Sequence, residues 1–84
     1  MKTLAEIVKL QEIARRIEDV KEEINDTDIE ISARYPSKLS TADYPAKDRF
    51  QCERLHEAHF CLHTAVENIR VAQSLLRVFE KAQK

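Results

Sequence analysis

The sequence predicts an all-α fold, an antiparallel two-helix coiled-coil hairpin that dimerises into a four-helix bundle. Three observations predict it. The chain has no glycine and only two prolines in 84 residues, a composition that suits long helices and disfavours a turn-rich β fold. Apolar residues recur in steps of three and four on both sides of one proline-containing break, the period of a helix face. A two-helix core of this size is thin against chain entropy, so a second copy is expected to complete it. The chain is read as one domain, 1–84, with helix 3–33, loop 34–44 and helix 45–82.

In the first helix Leu10, Ile13, Ile17, Val20, Ile24 and Ile31 follow alternating steps, with Thr27 holding one place. They form one amphipathic stripe. Leu4, Ile7, Val8 and Ala14 lie slightly off that line, so the stripe widens toward the N-terminus. Thr3 with Glu6 matches a capping box.

"RYPSKLSTADYPAK" ends the periodicity. Each Tyr-Pro pair biases its tyrosine away from helical geometry, and Ser, Thr and Asp are turn and cap formers. A short helical turn is expected within "SKLSTA". Asp43 or Tyr44 is the expected cap, with Pro45 in the first turn of the second helix. Tyr35 and Tyr44 are expected to anchor the loop to the end of the bundle.

The second helix carries the cleanest repeat: Leu55, Ala58, Leu62, Ala65, Ile69, Ala72, Leu76 and Phe79 in unbroken steps of three and four. This is the expected oligomer seam. Alternate positions from Ala58 to Ala72 are alanine, which lets a facing helix approach closely. A second apolar line, Cys61, Val71, Leu75 and Val78, flanks the seam and would stay wet against a single partner helix.

The totals exclude several function classes. With 14 basic and 15 acidic residues the formal net charge is -1, so no overall affinity for nucleic acid or anionic membranes is expected. Cys52 and Cys61, nine residues apart on one helix, stand about 13.5 Å apart on opposite faces and cannot pair with each other. Free thiols and the lack of a signal-like start point to the cytoplasm. No apolar run approaches the roughly 18 residues of a membrane span. No glycine loop cradles phosphate and no serine stands in a nucleophile motif, so no enzyme and no cofactor are expected.

Cys52, His56, His59 and His63 are spaced four, three and four, a stripe of metal-ligand types whose histidines could chelate Zn, Ni or Cu. With Leu55 and Leu62 in the seam, His56 and His63 point outward. "ERLH" holds Glu53 and His56 at the Glu-x-x-His spacing, and here the chain resembles the two-helix ferritin-like proteins that build an iron site across a dimer interface. That resemblance implies a ligand set of Glu23, Glu53 and His56, with His63 added as a further candidate ligand. Glu53 lies opposite Leu55, Ala58 and Leu62, so the site would need a second interface.

"CERLHEAH" is similar to the second helix of the Rop family of plasmid RNA-binding proteins, antiparallel dimers of helical hairpins. The resemblance implies the architecture. RNA binding does not follow, because residues 18–30 of helix one carry seven acids, Glu18, Asp19, Glu22, Glu23, Asp26, Asp28 and Glu30, against Lys21, and such a face repels phosphate. The same carboxylates could instead imitate a nucleic-acid backbone and occupy a basic groove on another protein.

The expected function is therefore a self-associating hairpin that binds another protein, as adapter, co-chaperone or inhibitor. Phe60 and Ile29, apolar residues away from the seam, are candidate contacts. So are the acidic Glu22, Glu23 and Asp26 and the basic Arg70 and Arg77. The alternatives are a metal-binding dimer and an acidic mimic of nucleic acid.

Overall fold

The computed structural model describes residues 2–82, with side chains from residue 4 onward. Two long helices, α1 (Lys2–Ser32) and α2 (Ala46–Ala82), run antiparallel and are joined by a loop holding one 3-10 turn at Thr41–Asp43. No strand occurs among the described residues. The result is a rod of 59 × 19 × 16 Å.

Helix α1 has no glycine to end it, and no described residue has positive φ. The helix closes instead by tightening. Arg34 N donates to Ile31 O at 3.2 Å and Tyr35 N to Ser32 O at 3.1 Å, bonds of the i to i+3 type that satisfy terminal carbonyls. The 3-10 turn is capped by the Ser40 hydroxyl, which accepts from Ala42 N at 3.3 Å, and it closes with Tyr44 N donating to Thr41 O at 3.2 Å. It lies at the far edge of the "SKLSTA" segment where a turn was expected.

Helix α2 begins one residue later than the sequence reading placed it. Ala46 is its first residue, and the Pro45 carbonyl accepts from Arg49 N at 2.9 Å. Pro45 therefore takes the capping place expected of Asp43 or Tyr44. Its fixed φ suits that entry, and its missing N–H leaves no donor unpaired. The Thr3 capping box falls on a side chain outside the described residues.

The loop end is the best-packed part of the rod. Ile31, Tyr44 and Cys52 are buried together, and Tyr35, Leu39 and Leu55 pack against them. The Tyr35 and Tyr44 rings stack with centroids 4.3 Å apart. Tyr35 also donates its hydroxyl to Asp48, whose other oxygen lies 3.4 Å from Arg34 Nη1.

Along the rod the inward rows are regular. Helix α1 turns Ile7, Ala14, Lys21 and Asp28 toward α2, alternating with Leu10, Ile17, Ile24 and Ile31; α2 answers with Cys52, His59, Val66 and Gln73, alternating with Leu55, Leu62, Ile69 and Leu76. All of these are buried or half-buried. The Leu and Ile rows are those of the sequence pattern. The second row on each helix differs, because contact between α1 and α2 is centred one position round from the apolar stripe.

Candidate interaction surface

That rotation leaves much of the stripe uncovered. Ile13 and Val20 on α1 are 46% and 45% exposed, and Phe79 on α2 is 53% exposed. Ala58 is exposed, and Ala65 and Ala72 are half-buried. In an antiparallel pair the rows on one flank of the seam share one side of the hairpin. Ile13 and Val20 therefore lie on the same face as Ala58, Ala65, Ala72 and Phe79. Leu75, 65% exposed, and Cys61, also exposed, edge that face on α2.

The opposite face is polar over its middle and carries the exposed Leu4 and Val8 nearer the helix termini. There Asp28 Oδ2 lies 3.2 Å from His56 Nε2, and Lys21 Nζ lies 3.3 Å from His63 Nδ1. Gln11, Glu18 and Arg15 share a shallow groove with Arg70, and Arg70 is held by Glu67 at 2.8 Å. Nearer the helix termini, Leu4, Val8, Gln73 and Arg77 line a wider groove of about 720 Å³.

Phe60 is 69% exposed and Ile29 is 56% exposed. Both stand on the outer shoulders of the polar side. Since Lys21 faces His63 and Asp28 faces His56, Ile29 lies level with Leu55, about 8 Å along the axis from Phe60. Glu22, Glu23 and Asp26 are all exposed.

A single hairpin does not bring the ferritin-like ligand set together. Glu23 lies beside the apolar face of α1, Glu53 is on the polar side of α2, and the two histidines are engaged with Asp28 and Lys21. Among the described residues no three of the His, Cys, Asp and Glu side chains come together where a metal ion could be held. Glu53 and His56 keep their helical spacing, but Glu53 lies on the other side of the hairpin from the open apolar face and from Glu23.

Cys52 and Cys61 have opposite environments. Cys52 is 1% exposed, and burial pushes its thiol pKa up, with the hydrogen bond to Asp28 and the negative charges of Asp28 and Asp48 acting in the same direction. Such a thiol is inert. Pattern reading missed Gln73. It is 4% exposed and donates through Nε2 to Ile7 O at 3.0 Å and to Gln11 Oε1 at 3.2 Å. A glutamine one place round from Ala72 in an otherwise apolar stretch gave no signal of its own.

Among the described residues no helix is long and apolar enough to cross a membrane. No protein-family model, curated protein or solved structure matches the chain.

Proposed function

We propose that the chain is a non-enzymatic protein-binding hairpin that self-associates through its uncovered apolar face into a four-helix bundle, and serves as an adapter, co-chaperone or inhibitor. The observation that carries this reading is the apolar face of the hairpin, with Ile13, Val20, Ala58, Leu75 and Phe79 open on the side away from the Asp28–His56 and Lys21–His63 contacts. Covering a half-exposed Val, Ile, Leu or Phe contributes about 1 kcal/mol each. A face of this size therefore favours association.

The shoulders left outside such a dimer are the contacts for a different protein: Phe60 and Ile29, with Glu22, Asp26, Arg70 and Arg77 setting charge complementarity. Sedimentation tests the first step. The wild-type chain should run as a dimer, and Val20→Glu, at a position 45% exposed in the single hairpin, should give a helical monomer. A wild-type chain that is monomeric at all concentrations would overturn the reading. For the second step, Phe60→Ala should weaken capture of the partner without altering the dimer.

A second reading draws on the acidic half of α1. Glu18, Asp19, Glu22, Glu23, Asp26 and Glu30 are exposed, and the pair in which Lys21 reaches Glu18 at 3.4 Å answers only one of them. As a mimic of a nucleic-acid backbone this ridge would bind a basic groove, and moderate salt should release the complex.

A further inference from the structure

Along the edge of the apolar face, α1 carries Lys9, Arg16, Glu23 and Glu30, one every seven residues. Two cations are followed by two anions. All four are exposed, and among the described residues none belongs to an ion pair; the pairs formed are Lys21 with Glu18, Arg34 with Asp48, Arg54 with Glu57, His56 with Asp28 and Arg70 with Glu67. A row that reverses sign at its midpoint complements itself when turned end for end.

We propose that the apolar face is covered by a second copy of this chain, related by a twofold axis crossing α1 beside Asp19 and Val20, so that the two loops stand at opposite ends of the bundle. This rests on the self-association reading and specifies its geometry. The axis sets Arg16 beside Glu23 of the second copy and Lys9 beside its Glu30, each pair occurring twice by symmetry. Both pairs belong to one register. In that register Ile17 packs beside Val20 of the second copy and Ile13 beside its Ile24, the flanking arrangement of an antiparallel coiled coil.

Helix α2 fits the same axis. Lys21 lies level with His63, so the axis crosses α2 close to residue 64. There Leu62 meets Ala65 of the second copy, Ala58 meets its Ile69 and Leu55 meets its Ala72. Each layer sets a large side chain opposite an alanine. With the loops at the same end, α1 would instead lie against α2 of the second copy. Glu30 would then meet Arg54, but Arg16 and Lys9 would face Asn68 and Leu75 and find no acid.

Spin labels at Ser37→Cys, in the full chain carrying Cys61→Ser, test the orientation by the distance between copies. Ser37 is exposed in the loop. Loops at opposite ends put the labels about 50 Å apart, from 1.5 Å of rise per residue on either side of the axis; a shared end puts them within about 25 Å. Arg16→Glu alone should weaken the dimer about tenfold, and Arg16→Glu with Glu23→Arg should restore it to within about threefold. A dimer with the short distance overturns the orientation and leaves self-association standing. A long distance without restoration by the swap overturns the ion-pair register, and a monomer overturns both proposals.

Discussion

Gln73 crosses the hairpin to donate to the Ile7 carbonyl at 3.0 Å, from a side chain only 4% exposed. Among the described residues it is the one buried polar side chain, and it joins the last third of α2 to the first third of α1. Because the Ile7 carbonyl is also a helix acceptor, the bond fixes one register for the two helices near their termini. A one-turn slip would break the present pair of bonds to Ile7 and Gln11.

Gln73→Ala should therefore lower stability by about 1–2 kcal/mol, from the lost hydrogen bonds and the space left behind. Gln73→Leu should cost less, because an apolar group leaves no amide to satisfy. Urea melts of the three proteins measure the difference. An alanine variant as stable as wild type would mean that the bond contributes nothing to the fold.

Alkaline pH should loosen the loop end first. The Cys52 thiol is raised above 9.0 by burial, then by Asp28, and the Tyr35 hydroxyl is raised above 10.0 by its hydrogen bond to Asp48 and then by burial. Folding favours the protonated form of both groups, so the unfolded chain loses those protons at lower pH. The associated stability is present below the ordinary values and falls as pH rises through the folded ones. Thermal melts from pH 8 to 11 should show this decline, and Cys52→Ala with Tyr35→Phe should flatten it.

The two thiols should be separable by rate. Cys61, exposed on α2, should react with a thiol reagent on the order of a hundredfold faster than buried Cys52. After Cys61→Ser, one slow thiol should remain whose rate follows opening of the loop end. Equal rates in the wild-type chain would contradict the packing around Ile31 and Tyr44.

Chelation should leave the melting temperature unchanged, since no three of the described His, Cys, Asp and Glu side chains of the hairpin come together where a metal ion could be held. Retention of stoichiometric metal, with a lower melt after its removal, would return Glu53 and His56 to consideration.

Much of the fold could be read from the sequence because the helix period and the proline break are local signals. The two helices, the loop and the Leu and Ile rows of the seam follow from spacing alone. Rotation about each helix axis did not. Periodicity finds the most apolar direction of a helix, and on α1 that direction lies between two faces: Ile17 and Ile24 turn toward α2, while Ile13 and Val20 turn to the open side. The remaining inward places go to Lys21, Asp28, His59 and Gln73, whose polarity hides them from an apolar pattern. Lys21 and Gln73 reach partners there, and Asp28 meets His56 through Oδ2 while its Oδ1 stays buried without a partner among the described residues. Spacing along α2 also says nothing about which side α1 takes, and so could not show that Glu23 and Glu53 lie on opposite sides of the single hairpin.

The clasp formed by Tyr35, Tyr44, Asp48 and Ile31 also sets an order of events in folding. Its contacts join residues close in sequence, so little chain must be closed to form them, whereas Gln73 and Ile7 are 66 residues apart. Closure entropy grows with that separation, and the hairpin should zip from the loop outward, each turn of α1 finding its level on α2 only after the turn before it has docked. Opening should run in reverse. Backbone amides beside Ile31 and Cys52 should then exchange with solvent last, and those facing Gln73 much sooner, so the rod is most durable where its two helices are joined.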